Sequence, residues 1–348
     1  MLNVHLKNAL RQFAQIKAIL SIATRDRNFV MPYGFEDIWL SAEKVDIGYW
    51  RAYEHSAVMV RGYATFERFV LYAVEQWIGW LQVHYPDRLS KSTRIQDAYE
   101  RGMAEILRRK NEARFVDIDR GKLAAGLSVF FGAQLPDNVS MPVAPFFAGL
   151  PNLKLPKIVE LFTSIEMPGL SEWLGSSAEL RQFCEDEGFN YEDELGQLVD
   201  WRNEAAHGNE VPSNILGDNE LASRLNFLML LSEAIFDFVV ASICRTDLGD
   251  EFANGLIGTV SHVWPKSGAF QLTMASRVIY TGTDVLMFGS GTVARSSILS
   301  LQLEGSPAIG LDVSVGDLVG VTMDFLPADQ MRMISVQSVK GLHGLLAA

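Results

Sequence analysis

An arginine, an asparagine and a histidine lie close together in the segment LVDWRNEAAHG at residues 198–208. Arg202 carries a permanent charge on a planar fork that matches two phosphate oxygens, so it can stabilise the extra negative charge of a phosphoryl transition state. His207, whose ordinary pKa is about 6.5, can take a proton from a ribose 2′-hydroxyl or return one to the leaving 5′-oxygen. These residue types suit cleavage of an RNA phosphodiester without a metal.

The spacing of these residues adds a constraint. Asn203 and His207 are four positions apart and share one face of a helix, where Asn203 can orient His207 or the phosphate. Arg202 and His207 are five positions apart, which separates them by roughly 140° around a helix of 3.6 residues per turn. Arg202 must therefore reach around the helix or meet a second copy of the chain.

The elements that position this motif are predicted to be helices. Apolar residues at helical spacing indicate helices over residues 3–24, 49–85, 92–111, 120–131, 191–207 and 220–245. Pro86 ends the second of these, and the motif lies at the end of the helix over 191–207. Five prolines between residues 133 and 156 predict an extended insertion that is ordered only against a partner.

The chain changes character after Asp247. Short alternating runs at residues 269–274, 297–303 and 332–339 are separated by Gly and Asp turns. They predict a small antiparallel β-barrel or sandwich. The predicted fold class is therefore α+β, with a helical domain over 1–246 and a small all-β domain over 247–348, either as an independent module that governs target choice or restraint or as a permanent lid.

The motif RN-x3-HG, with its apolar and acidic helix leading in, resembles the R-x4-6-H signature of the HEPN (higher eukaryote and prokaryote nucleotide-binding) superfamily. The string Phe66-Glu67-Arg68-Phe69 is similar to the helix that precedes the motif in prokaryotic members. The resemblance covers roughly residues 49–246. It implies a homodimer of helical bundles that forms a composite, metal-independent endoribonuclease site, serving as a toxin or in phage defence. Arg202 and His207 would be catalytic and Asn203 supporting.

A non-catalytic interpretation stays open. Arg and His at a helix C-terminus are favoured by the helix dipole, and Gly208 is an ordinary residue after a helix end. Some members of the superfamily lack activity, and a fold does not by itself establish a site. The alternative is a dimeric interaction or sensor protein whose β domain binds a partner.

Charge limits how the chain can contact RNA. Lys and Arg number 30 against 42 acidic residues, a net charge of −12, so any RNA contact has to be local. The most basic stretch contains the RNA-binding candidates Arg101, Arg108, Arg109 and Lys110. Glu and Asp residues interleave with them, which favours an ordinary solvated helix over a phosphate track.

Other classes of site have little support in the sequence. The acidic run over residues 185–194 is interpreted as a solvated helix start and not as a metal cluster, and no histidine pair has zinc spacing. No cofactor is predicted. The two cysteines form no C-x-x-C pair and the N-terminus has no signal-peptide pattern, so a cytoplasmic protein is expected. The apolar run 225–244 contains Glu233 and Asp237, which favours a buried helix over a membrane span.

One departure from a family pattern bears on regulation. In HEPN toxins that a nucleotidyltransferase neutralises, a Tyr two positions after the His is the modified residue, and this chain has Asn209 there. Control by tyrosine modification at that position is therefore excluded. Restraint is expected to come from binding, by a protein antidote or sensor partner through the β domain or by the β domain itself.

Overall fold

The computed structural model describes residues 2–33, 47–133, 140–150, 152–207, 215–248, 255–275, 278–289, 291–339, 342 and 346. Helices occupy the first part of the chain and strands the part after residue 255, so the predicted α+β order is confirmed. The helices are α1 (Leu2–Tyr33), α2 (Ile47–His84), α3 (Pro86–Lys91), α4 (Thr93–Arg108), α5 (Arg120–Ser128), α6 (Ala144–Phe147), α7 (Leu155–Ser164), α8 (Leu170–Ser176), α9 (Ala178–Glu187), α10 (Tyr191–His207) and α11 (Asp218–Leu248).

The centre of the helical part is α2, which packs against α1, α10 and α11. Its buried face contains large aromatic side chains at helical spacing, among them Phe66, Phe69 and Trp77. The buried indole N–H of Trp77 donates to the carbonyl of Ile165 at 2.8 Å, so this polar atom keeps a partner inside the core. As predicted, α2 ends just before Pro86, which then occupies the first turn of α3, where a missing N–H costs nothing.

The prediction of an extended, partner-dependent insertion over residues 133–156 is wrong for its described residues, 133, 140–150 and 152–156. Pro145 and Phe146 are buried in α6, which packs against α4. The contact is close because a side chain at Gly102 would overlap the backbone of Pro145. Prolines at the first turns of α6 and α7 start helices there, whereas the sequence reading took them only as helix breakers.

The strands form an open antiparallel sheet with the order β5-β4-β10-β1-β2-β9-β6-β7, and β3 pairs with β8 separately. The predicted antiparallel β part is confirmed, and its strand order is that of an open sheet, without clear closure into a barrel. The strands are β1 (Leu256–Trp264), β2 (Ala269–Met274), β3 (Val278–Tyr280), β4 (Asp284–Gly289), β5 (Thr292–Ser297), β6 (Ser300–Leu303), β7 (Ser306–Ala308), β8 (Gly310–Asp312), β9 (Leu318–Thr322) and β10 (Arg332–Ser335).

The strand β4 is buried on both of its faces. Val285 and Met287 point into the sheet's own core, whereas Leu286 and Phe288 belong to the core of the helical bundle. One face of the sheet therefore buries its apolar residues among the strands themselves, and the helices cover the other face. The boundary near residue 247 stays a prediction, but the described strands share a core with the bundle.

A buried carboxyl group marks the contact between α11 and the sheet. The side chain of Asp237 accepts a hydrogen bond from the backbone N–H of Val293 in β5 at 3.1 Å. Burial raises the pKa of Asp237 to about 7, opposed by that hydrogen bond and reinforced by Glu233 and Glu179. Nearby, Gly291 has a φ of +79°, and a side chain there would overlap the backbone between α8 and α9. The two parts therefore meet through a close contact.

The helix α11 is the one described helix that is long and apolar enough to cross a membrane, over Asp218–Thr246. Most of this segment is buried inside the protein, where it packs against α1, α2 and α9. The interpretation of the run 225–244 as a buried helix agrees with this packing.

Candidate functional site

The motif helix α10 begins and ends where its sequence predicts. The side chain of Asn190 accepts from the N–H of Glu192 at 2.8 Å, and acidic residues in the first turn favour the positive end of the helix dipole. Leu195, Leu198 and Val199 are buried and hold the helix against the bundle. The helix ends at His207, whose side chain lies outside the described residues, as do residues 208–214.

The acidic run before the motif is mostly exposed, as predicted, with one exception. Glu194 is 1% exposed, and its carboxylate lies 2.5 Å from the guanidinium nitrogen Nε of Arg224, in an ion pair whose atoms are not aligned as a hydrogen bond. Burial raises the pKa of Glu194, and Arg224 opposes this rise. Within the described residues no group of His, Cys, Asp and Glu side chains has the arrangement of a metal site.

Arg202 is half-buried, with contacts on two sides of its guanidinium group. Its Nη1 donates to the side-chain oxygen of Asn203 at 3.0 Å, and the group lies 5.7 Å from the ring centre of Tyr63 in α2. Both contacts restrict the rotation of a long side chain and leave a fixed cation at the motif. Among the described contacts, Asn203 therefore holds Arg202, whereas the sequence suggested that Asn203 orients His207 or the phosphate.

Glu67, one helical turn after Tyr63, is the acidic neighbour of Arg202. Burial raises the pKa of its carboxyl group, and the positive charges of Arg202 and Arg114 oppose the rise. The hydroxyl of Tyr63 accepts from the backbone N–H of Leu153 at 2.7 Å, which places the start of α7 beside the motif. The site is therefore built from α2, α10 and the segment before α7.

Two further cations lie around this group. The Nζ of Lys154 is 2.8 Å from a carboxylate oxygen of Asp200, two residues before Arg202. Arg114, in the connection after α4, donates through Nη2 to the carbonyls of Phe147 at 2.7 Å and Leu150 at 3.3 Å. Segments that are distant in the sequence thus bring positive charge to the motif in a chain whose net charge is −12.

A buried histidine supports the other side of the motif helix. The Nδ1 of His55 accepts from the backbone N–H of Leu216 at 3.1 Å, and its ring meets Trp201 edge-on at 6.2 Å. Burial lowers the pKa of His55, and Glu204 opposes this shift. The ring is therefore neutral near pH 7, with its proton on Nε2, which has no hydrogen-bond partner in the described part of the chain. His55 fixes the start of the segment before α11 against α2.

The RNA-binding candidates in and just after α4 lie among acidic residues of their own helical stretch. Arg108 is paired with Glu105 at 2.8 Å, and Arg109 is paired with Glu112 at 2.6 Å and with Glu105 at 3.2 Å. Arg101 donates to the backbone carbonyl of Asp97 within its own helix, and Lys110 is exposed just beyond the helix end. The paired arginines support the interpretation of this stretch as a solvated helix.

Sequence reasoning missed Lys154 and the roles of Tyr63, Glu67 and Arg114. A usable signal was the pair Tyr63 and Glu67, two polar groups one turn apart on the otherwise apolar face of α2. Nothing in the sequence connects Arg114 or Lys154 to the motif, because both reach it through tertiary contacts.

Comparison with known families identifies the helical part. The family model described as RiboL-PSP-HEPN matches residues 40–241, more than half of the chain. The chain therefore belongs to this HEPN family, as the motif predicted. None of the curated proteins is similar enough to this chain to count as a match.

Proposed function

We propose that the protein is a metal-independent endoribonuclease. The observation that carries the proposal is the fixed guanidinium of Arg202, held by Asn203 and Tyr63 in a helix that ends at His207. Membership of a HEPN family supports an RNA-related, nuclease-type activity at the level of the family. The cations of Lys154 and Arg114 favour a bound polyanion at this place.

The reaction needs one proton transfer at each end of the cleaved bond. His207 takes the proton of a ribose 2′-hydroxyl, the 2′-oxygen attacks the adjacent phosphorus, and Arg202 stabilises the charge that develops on the phosphoryl oxygens. The 5′-oxygen then leaves with a proton that the imidazolium form of His207 donates. The products carry a 2′,3′-cyclic phosphate and a 5′-hydroxyl, and no water or metal enters this step.

We propose that the active form is a homodimer. Positions 202 and 207 are roughly 140° apart around the axis of α10, so one copy places the two positions on different faces of the helix. Two motifs that face each other across a two-fold axis would combine them. In this proposal the enzyme acts in the cytoplasm as a toxin or phage-defence effector and is restrained by a protein partner that binds the β part.

The test incubates single-stranded RNA with the parent protein and with Arg202→Ala, His207→Ala and the control Arg181→Ala, whose side chain is exposed and remote from the motif in α9. We expect the parent and the control to cleave, and each motif variant to lose about 100-fold or more of the rate. Mass spectrometry of the fragments identifies the ends, and light scattering gives the oligomeric state. Cleavage by both motif variants at the parent's rate contradicts the proposal.

A non-catalytic interaction protein is the second candidate, and one observation favours it. An apolar groove of about 360 Å³ lies between α1 and α2. Ile19 and Tyr53 in this groove are 67% and 75% exposed, as at surfaces that bind other proteins. Absence of RNA cleavage by a folded parent protein would favour this candidate.

A further inference from the structure

Two cations outside the motif, Lys154 and Arg114, lie on segments that contact the surroundings of Arg202. Arg202 lies over Tyr63, whose hydroxyl binds the N–H of Leu153, and Lys154 follows directly in the chain. Arg114 is held by the carbonyls of Phe147 and Leu150, shortly before that same segment. The three cations are therefore connected through Tyr63, Glu67 and the segment before α7.

The balance of charge in this group favours an anion. The acidic partners that the structure shows for the three cations are Asp200, which pairs with Lys154, and Glu67, which lies near both arginines. The arginines of α4 differ because glutamates of the same helical stretch bind them directly in pairs. Arg108 and Arg109 are thus held by glutamates of their own helical stretch, whereas Arg114 shares the neighbour Glu67 with Arg202 and so lies by the motif.

From this placement we propose that Arg114 and Lys154 form a second phosphate-binding position beside Arg202, which takes the backbone of a single-stranded RNA next to the cleaved bond. The RNA then leaves the motif toward the segment between α6 and α7. This inference rests on the proposed function and names the path of its substrate. It differs from a path along Arg101, Arg108, Arg109 and Lys110, the RNA-binding candidates for which the sequence already favoured an ordinary solvated helix.

The ion pair of Lys154 is compatible with this role. Its side chain is 44% exposed, and an exposed pair contributes little to stability, so the ammonium group can turn from Asp200 to a phosphate at small cost. Arg114 keeps its guanidinium in place through the two carbonyls while the side chain stays exposed to solvent. A planar guanidinium that is already positioned loses little entropy when a phosphate binds.

The test measures RNA binding separately from cleavage. In a His207→Ala background, fluorescence anisotropy of a labelled single-stranded RNA is recorded at several salt concentrations. We expect Lys154→Gln and Arg114→Gln each to weaken binding by about 3- to 10-fold and to reduce the slope of log affinity against log salt by about 0.7. The matched control is Lys157→Gln, because Lys157 lies one turn further on, is 50% exposed and pairs with Glu160 at 2.7 Å.

The outcomes are distinguishable from failure of the proposed function. Unchanged affinity and salt slope in Lys154→Gln and Arg114→Gln overturn the inference, even if the parent protein cleaves RNA through Arg202 and His207. A parent that neither cleaves nor binds RNA overturns both. Arg114→Lys keeps the charge and is expected to bind RNA within about threefold of the background protein, so it separates the effect of charge from that of shape. If thermal unfolding shows Arg114→Gln to be misfolded, Lys154→Gln decides the inference, and an unchanged affinity in that variant overturns it.

Discussion

Glu67 and Asp237 are two carboxyl groups on long helices of the same bundle, and burial raises the pKa of both. Glu67 lies near the positive charges of Arg202 and Arg114. Asp237 lies near two other acids, Glu233 and Glu179, and is bonded to a backbone N–H of the sheet. The two groups are both partly buried, but Glu67 has positively charged neighbours and Asp237 has negatively charged ones.

This difference separates a site from a structural contact. At Glu67 the surrounding cations exceed the carboxylates, which leaves a place that attracts an anion. At Asp237 the acids repel one another, and the protonated form of Asp237 fits the interface between α11 and β5. A strongly shifted pKa alone would have indicated Asp237 as the functional group, whereas the charges around it indicate the opposite.

The largest expected effect is on stability, and it follows from the structural role of the contact between α11 and the sheet. A fragment of residues 1–246 lacks the strands that pack on the bundle. With them it loses Leu286, Phe288 and Ile334 of the shared core. Each such buried side chain contributes about 1.5–3 kcal/mol, and the sum rivals the whole stability of a domain. We expect the fragment to be insoluble or to lack cooperative unfolding, checked by size exclusion and circular dichroism against the full chain. A soluble fragment with cooperative unfolding would support an independent β module instead.

The second effect is the pH dependence of stability at Asp237. Its pKa rises from an ordinary 3.8 to about 7 in the folded protein, so the folded state binds more protons between these values. Asp237 therefore makes its full contribution to the free energy of unfolding below pH 4. This contribution, about 4 kcal/mol at most, is lost as pH rises through 7.

Asp237→Asn removes this titration and keeps an acceptor for the N–H of Val293. Denaturant unfolding of the parent and the variant at pH 5 and pH 8 measures the difference. We expect the variant to gain stability relative to the parent at pH 8. A difference that is the same at both pH values would show that Asp237 is ionised in the folded protein.

The third effect concerns Glu67 and is smaller. Glu67 offsets part of the charge of Arg202 and Arg114, so Glu67→Gln in the His207→Ala background is expected to tighten RNA binding about 3- to 10-fold at pH 8. Because its pKa is raised, the carboxyl takes up a proton at a higher pH than an ordinary Glu. The affinity of the His207→Ala background protein for RNA should rise toward that of the Glu67→Gln variant as pH falls and Glu67 takes up its proton.

Anisotropy titrations between pH 4.5 and 8 measure this effect. Glu160→Gln is the control, since Glu160 pairs with Lys157 on an exposed turn of α7. Parallel pH curves for the parent and Glu67→Gln would show that Glu67 does not titrate beside the RNA.

How much of this comparison the sequence could predict depends on the range of the interactions. The bounds of α10 and the motif at its end follow from local signals, apolar spacing and an acidic first turn, and both were predicted. The pairing of the arginines in α4 follows from acids three and four positions away, and it too was predicted. Local chemistry was therefore readable.

Long-range contacts were not readable in the same way. Glu67 and Arg114 come near Arg202, and Lys154 pairs with Asp200, only because α2, α10 and the start of α7 pack together. No spacing in the chain encodes these contacts. The contact of β4 with the helices could not be predicted for the same reason, since the alternation of β4 predicts two faces but not which one the helices cover. The prolines of the segment 133–156 were misread because a proline at the first turn and a proline that breaks a helix look alike in sequence.

The smallest expected effect is that of removing divalent metal ions. Two carboxylates near the motif, Glu67 and Asp200, each lie beside a cation that a metal ion would have to displace. In the proposed mechanism, the guanidinium group of Arg202 supplies the charge stabilisation that a metal supplies in other nucleases. We expect EDTA to change the rate of RNA cleavage by less than about twofold, measured with added Mg²⁺ as the comparison. A rate that falls with EDTA and returns with Mg²⁺ would show that Glu67 or Asp200 binds a metal in the presence of RNA, and that the cations around them have a structural role.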